Sequence, residues 1–173
     1  MPVLSYKHQQ ALAGAGRTPL QLERHETGQM DTIISRIRKN SAEEIWVTLG
    51  KFEGHDLLNV RAYFRSVEGF RPTRKGIALD VSKMQELNDA LREFIEENAD
   101  VAKVVAIPKN PTEEIRVYRS EYMGHLLMNI RVFFKVNGET EGNPTHKGIA
   151  FNVNLTNEVI RSIDLAIKHY KPD

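Results

Sequence analysis

A tandem repeat constrains this chain more than any other feature. Ile37-Arg38-Lys39-Asn40 recurs as Ile107-Pro108-Lys109-Asn110, Glu43-Glu44-Ile45 as Glu113-Glu114-Ile115, and Gly54-His55 as Gly124-His125. Leu57, Asn59, Arg61 and Phe64 answer Leu127, Asn129, Arg131 and Phe134 at the same offset of 70 residues. Pro72-Thr73-Arg74-Lys75-Gly76-Ile77-Ala78 then answers Pro144-Thr145-His146-Lys147-Gly148-Ile149-Ala150 at an offset of 72. The two extra residues fall between Phe134 and Pro144, where Asn137-Gly138 and Gly142-Asn143 mark a loop that tolerates insertion. One fixed spacing over so many positions means one structural unit built twice.

Each copy reads alike. Ile33–Arg38 and Ala102–Ile107 are short β-branched runs that suit a first strand. Ile45, Val47 and Leu49 alternate with Trp46 and Thr48, a period-two second strand, and Ile115–Arg119 is its counterpart. Turns at Gly54 and Gly124 lead to the longest strands, Leu57–Arg65 and Leu127–Lys135, and fourth strands follow at Lys75–Val81 and Lys147–Val153. Ser82 is a fair N-cap for a helix carrying Met84, Leu87, Leu91, Phe94 and Ile95; Asn154 or Thr156 caps one carrying Val159, Ile160, Ile163, Ile167 and Tyr170. The expected class is α+β: two tandem four-stranded antiparallel sheet plus helix (ββββα) units, at 31–100 and 101–173. One helix covering a four-stranded sheet leaves the other sheet face open. The link near Asn98–Asp100 is short, so the units should pack together as an intramolecular pseudo-dimer. Residues 1–30 match neither copy. Ala13-Gly14-Ala15-Gly16 and its Gln-rich flanks suggest a disordered arm or a loosely docked helix.

Composition sets the outer bounds. With 40% apolar residues in 173, the chain can build one ordinary core or two small, closely associated ones. There are no cysteines, which excludes disulfides and thiolate metal sites. No apolar run approaches the ~18 residues of a membrane span, and the N-terminus lacks the basic start and apolar core of a secretory signal. The expected location is inside the cell: cytoplasmic, with nucleoid association in a bacterium or archaeon, or nuclear in a eukaryote. Net charge is only +1, but its distribution is uneven. Between Arg36 and Lys75 nine basic residues face five acidic ones; between Ser82 and Asp100 two face six. Positive charge travels with the strands and negative charge with the helix, which can give one basic face on a nearly neutral molecule.

The third strand separates two sets of side chains. Leu58, Val60, Ala62 and Phe64 are apolar and read as core, while Leu57, Asn59, Arg61 and Tyr63 suit an open face. The second copy repeats this with Met128, Ile130, Val132 and Phe134 against Leu127, Asn129, Arg131 and Phe133. Phe52 and Tyr122 lie at hairpin tips, a natural place for stacking on an unpaired base. Arg74, Lys75 and Lys147 begin the fourth strand and suit phosphate contact, or an edge charged against aggregation. Gly76 and Gly148 suit a bend or a close approach of backbone. His55 and His125 occupy matching turn positions and suit phosphate better than metal, since no ligand spacing accompanies them. Glu43-Glu44 and Glu113-Glu114 are adjacent on strands and so point to opposite faces, which disfavours a catalytic pair. No phosphate-binding loop, nucleophile elbow or zinc motif is present, so no enzyme and no cofactor is expected. Trp46 has no match at Arg116 and reads as packing.

Three segments together carry a resemblance: Phe52-Glu53-Gly54-His55, Leu57-Leu58-Asn59-Val60-Arg61-Ala62-Tyr63-Phe64 and Pro72-Thr73-Arg74-Lys75-Gly76-Ile77-Ala78-Leu79. They resemble the DNA-binding domain of the transcriptional positive cofactor four family, over nearly the whole chain except the arm. The arrangement of two such units in one protomer is similar to that of the plant Whirly proteins. The resemblance implies single-stranded DNA as partner, bound without strong sequence preference, with base contact by Arg61 and Arg131 and by Phe64 and Phe134. Lys51 belongs with the basic turn that the family pattern places there. The second copy departs from the pattern at Glu121, Met123 and His146. Strict alternation puts the arginines and the strand-end phenylalanines on opposite faces; a bulge near the strand end would reconcile them. The expected function is sequence-independent single-stranded DNA binding in transcription, replication or repair. RNA as partner, a protein-interaction module that kept the fold, association into homo-oligomers and contact with transcription or replication proteins stay open. A membrane partner is not expected.

Overall fold

Two-residue turns set the register of the structure. Glu53-Gly54 has φ values of 51° and 81°, and Met123-Gly124 has 50° and 80°. Paired positive φ is the geometry of the tight turn whose twist matches that of its flanking strands, and glycine supplies the second position without strain. The computed structural model describes residues 21–24, 30–95, 102–136 and 138–172. In chain order its elements are β1 (Gln21–Arg24), β2 (Met30–Arg38), β3 (Glu43–Phe52), β4 (His55–Ser66), β5 (Gly69–Asp80) and α1 (Met84–Arg92). They continue with β6 (Val104–Pro108), β7 (Glu113–Tyr122), β8 (His125–Phe134), β9 (Asn143–Asn152) and α2 (Thr156–His169).

All strands join one antiparallel sheet in the order β1-β2-β3-β4-β5-β9-β8-β7-β6. The two ββββα units stand side by side about a seam where Gly76 of β5 faces Gly148 of β9. This is the α+β pseudo-dimer expected from the repeat. β1 is an addition: Gln21–Arg24 pairs with Met30–Ile33 and widens the sheet by one edge strand, where sequence suggested an arm or a docked helix. The rest of that arm, 1–20 and 25–29, lies outside the described residues.

The helix starts differ from expectation. Asp80, not Ser82, is the capping side chain, and its carboxylate accepts from Ser82 N at 2.9 Å. Asn152 does the same for Asn154 N at 2.9 Å. Each caps a short 3-10 turn, Val81–Lys83 or Val153–Leu155, that runs on into the α-helix. A short carbonyl-bearing side chain at an extended strand end reaches the amide two residues on, so the cap precedes the apolar periodicity by several positions.

The helices also cross between units. α2 lies over β2 and β3 of the first unit, and α1 reaches β6 of the second. Ser35 of β2 donates to Ser162 of α2 at 2.5 Å, Tyr170 donates to Asp56 at 2.6 Å, and the Arg119 guanidinium reaches the Phe94 carbonyl beyond α1. Sequence suggested that each helix covers its own sheet. The helices instead follow β5 and β9, which are neighbours at the middle of the sheet, so both start at the seam. Between them, buried Asn88 donates to Ile160 O at 3.3 Å and Asp164 at 2.7 Å, with Arg92 paired to Asp164 at 2.8 Å. The result is one core with Val47, Val60 and Ile77 from one unit and Val117, Ile130 and Ile149 from the other, all under both helices. Ile95, expected on the apolar stripe, is 46% exposed past the end of α1.

The repeated Lys-Asn-x-x-Glu element is a turn device. Asn40 accepts from Ala42 N and Glu43 N at 2.8 Å each, and donates to Glu43 at 3.3 Å, beside a Lys39–Glu43 ion pair at 3.4 Å. Asn110 repeats this with Thr112 N, Glu113 N and the Glu113 carboxylate. Burial pushes the Glu43 carboxyl up, but the Asn40 hydrogen bond and the charges of Lys39 and Lys75 outweigh it, and its pKa ends below the usual 4.5. The Asn110 hydrogen bond, working against burial, likewise lowers Glu113.

Two tests follow from this packing. A depressed carboxylate contributes stability fully above its unfolded value, and that contribution is lost as pH falls through the folded one. The melting temperature should therefore drop on acidification from about pH 5 toward pH 3, and less steeply in Glu43→Gln/Glu113→Gln than in the parent. Equal slopes would show that these turns do not contribute. Second, Ile163→Ala in α2 removes a fully buried side chain and should cost about 2–5 kcal/mol. Trp46 in the first unit, followed by fluorescence in a denaturant titration, should report that loss in a single transition shared with far-UV circular dichroism.

Candidate nucleic-acid interface

Counting back from the two-residue turns pairs Trp46 with Arg61 and Arg116 with Arg131. Cross-strand partners share a face of the sheet. The pairing continues across every strand from β2 to β6, giving the row Arg36, Trp46, Arg61, Gly76, Gly148, Arg131, Arg116 and Ala106. The core residues alternate with this row, so it lies on the face away from the helices. Four arginines on the row flank a central pair of glycines.

The glycines exist for the arginines. A Cβ at Gly76 would stand 2.8 Å from the Cβ, Cγ and Cζ of Arg61, and one at Gly148 would stand 2.9 Å from the same atoms of Arg131. Each guanidinium therefore lies flat over its glycine and extends toward the seam. Arg61 Nη1 donates to Thr73 O at 3.1 Å and Arg131 Nη1 to Thr145 O at 3.0 Å. Neither arginine has a carboxylate partner among the described residues. Burial pushes the Arg61 pKa down, yet a guanidinium stays charged at neutral pH. Two half-buried cations near each other with no counter-charge are costly to the fold, and such costs concentrate at functional sites. The outer pair differs: Arg36 Nε donates to Glu44 at 2.8 Å and Arg116 Nε to Glu114 at 2.6 Å.

The Pro-Thr-x-Lys-Gly segment builds a bulge beside the arginines. From Arg61 to Tyr63 β4 advances two residues, while β5 advances four, from Gly76 back to Pro72. The Thr73 hydroxyl holds the excursion, donating to Ala62 O at 2.8 Å and accepting from Lys75 N at 3.1 Å. Thr145 does the same with Val132 O at 2.8 Å and Lys147 N at 3.2 Å. Arg74, Lys75, His146 and Lys147 are thereby lifted to the surface, and among the described residues none forms an ion pair. The bulge that sequence invoked is present, but in β5 and β9. It does not carry Phe64 or Phe134 to the arginine side of β4 or β8. Those two rings are nevertheless not core: they stand 40% and 43% exposed at the strand ends.

Tyr63 and Phe133 share the arginine face, as alternation requires, but they are not open platforms. Tyr63 is 4% exposed and stacks on Trp46 at 3.8 Å, with Arg36 over the indole at 4.7 Å. Ile33 and Phe70 complete this second, smaller cluster. Phe133 is half-buried under the Arg116 guanidinium at 4.2 Å and meets Tyr118 edge-on. Phe52 and Tyr122 are 55% and 65% exposed at the hairpin tips, each opposite its exposed histidine, His55 or His125. Lys51 sits beside Phe52 and pairs with Asp56 at 3.6 Å. Six residues of strand separate each tip from the arginine row, about 20 Å. β4 and β8 run in opposite directions, so the tips lie at opposite ends of the sheet.

The structure thus gathers Arg61, Arg131, Arg74, Lys75 and Lys147 at the centre and places Phe52, Tyr122, Lys51, His55 and His125 at two distal tips. Sequence reasoning missed Arg36 and Arg116: the two-residue turn already fixed the row of Arg116 opposite Arg131, whereas that of Arg36 depends on the longer Lys-Asn turn between β2 and β3.

A comparison with curated proteins found no match. A family model for transcriptional coactivator p15 (PC4) matches twice, over residues 39–90 and 109–162. Each matched segment runs from the Lys-Asn turn through three strands into the helix, and together they cover more than half of the chain. The chain therefore belongs to the transcriptional coactivator p15 (PC4) family and carries that family's unit twice in tandem.

Proposed function

We propose that this protein is a non-enzymatic binder of single-stranded DNA without sequence preference, acting in transcription, and that the strand lies across the helix-free face over the glycine seam. The observation that carries this reading is the pair of guanidiniums over Gly76 and Gly148, which donate to backbone carbonyls and have no carboxylate partner among the described residues. An anionic backbone supplies the missing counter-charge from outside. Arg74, Lys75 and Lys147, lifted by the bulges, add further cations beside the same seam. The exposed rings of Phe52 and Tyr122, which alternate to the arginine face, favour unpaired bases, because stacking on an aromatic side chain, worth about 1–3 kcal/mol per base, needs a free base face. Membership of a coactivator family supports transcription as the process.

Affinity for a fluorescent oligo-dT of about 20 nucleotides should fall steeply with salt, with a log–log slope near −0.7 for each phosphate neutralised, and should exceed the affinity for intact duplex. Arg61→Ala/Arg131→Ala should weaken binding by about 10- to 100-fold, as expected for removing charge-assisted hydrogen bonds, with the melting temperature maintained. Salt-indifferent binding, or equal affinity for duplex, contradicts the reading. Competition with a matched RNA oligomer decides between the two single-stranded ligands.

A further inference from the structure

At the outer end of the first unit a hollow of about 320 Å³ opens between the β2–β3 turn and the start of β5. It is lined by Arg38, Asn40, Ser41, Glu44, Arg65 and Phe70. We propose that this hollow is a phosphate-binding subsite for the nucleic-acid backbone, present in the first unit only. The proposal rests on the functional reading above and extends its footprint.

The charge balance of the hollow points to an anion. Its one carboxylate is already satisfied, since Glu44 Oε1 accepts from Arg36 Nε at 2.8 Å and from Trp46 Nε1 at 2.9 Å. Its two exposed cations are not: neither Arg38 nor Arg65 has a carboxylate partner among the described residues. The Arg65 guanidinium rests 5.2 Å from the Phe70 ring centroid, and its N–H groups have no hydrogen-bond partner among the described residues. The Ser41 hydroxyl adds a donor with no hydrogen bond among the described residues. Two guanidinium forks and a hydroxyl around a polar hollow match the oxygens of a phosphodiester.

Position ties the hollow to the strand track. Arg61, Tyr63 and Arg65 alternate along one face of β4, and Arg36 and Arg38 along the same face of β2. Arg65 is four residues from Arg61, about 14 Å along the strand. A backbone leaving the seam on this side meets the hollow. The second unit lacks it: the 70-residue offset puts Pro108 at the place of Arg38, Pro111 at that of Ser41 and Lys135 at that of Arg65. Lys135 is tied to Glu114 at 2.7 Å. A two-fold symmetric face would accept a strand equally in either direction. An extra phosphate subsite on one side removes that degeneracy and gives the bound strand one preferred polarity.

The test compares full-length parent with Arg38→Gln/Arg65→Gln, which removes charge while keeping a polar side chain with the same Cβ–Cγ–Cδ stem, on oligo-dT across a salt series. The salt slope should become shallower by about 0.7 for each phosphate no longer neutralised, with melting temperature unchanged. An unchanged slope in a parent that binds DNA overturns the subsite and leaves the functional reading intact. Should the parent bind no single-stranded DNA, that reading fails, and the hollow is judged on its own by titrating pyrophosphate. The chain's one tryptophan, Trp46, shares Glu44 with the hollow. A saturable fluorescence change in the parent that vanishes in the variant supports the subsite, and no change in the parent overturns it.

Discussion

At the middle of the sheet two backbones approach without side chains between them, and this contact organises everything that touches ligand. Gly76 and Gly148 pair across β5 and β9, and the space a Cβ would fill is taken by Arg61 and Arg131. One constraint therefore does two things. It joins the repeats into a continuous sheet, and it turns two guanidiniums inward over the join. The threonine-held bulges release Lys75 and Lys147 alongside. The helices leave from the same seam, cross to the opposite unit and seal the other face, so the arginine face stays free of them.

This explains why the Pro-Thr-x-Lys-Gly-Ile-Ala segment survives in both copies although the loops around it differ. Proline ends regular pairing, threonine holds the excursion, lysine is presented, glycine admits the arginine, and isoleucine returns the chain to the core. Each residue type has one mechanical task. The segment was recognisable in the sequence, but its geometry was not, because the excess residues sit opposite β4 and their effect depends on pairing across strands.

Much of the fold was legible. Period-two alternation, glycine turns and the fixed offset located eight strands and two helices, and the offset forced a pseudo-symmetric arrangement. What escaped were features that depend on contacts far apart in sequence. Helix crossing follows from β5 and β9 being neighbours, which no local pattern states. Tyr63 alternated correctly to the open face, yet Trp46, Phe70 and Arg36 bury it there, so facing and exposure parted company. Phe64 alternated to the core side and emerged exposed because the core ends before the strand does. The same aromatic cluster makes the halves unequal: where the first unit places an indole, the second places Arg116 over Phe133. Duplication within one chain frees the copies to diverge in this way, which identical subunits cannot do.

The most direct measurement of the central claim alters the seam and leaves every cation in place. In Gly76→Ala/Gly148→Ala, the added methyl groups would meet the arginine side chains at 2.8 and 2.9 Å and must displace them. If the seam positions the guanidiniums for an external anion, single-stranded DNA affinity at low salt falls by about tenfold or more, since about 1.4 kcal/mol suffices, while the cooperative unfolding transition persists. Full affinity in a folded variant would contradict the account.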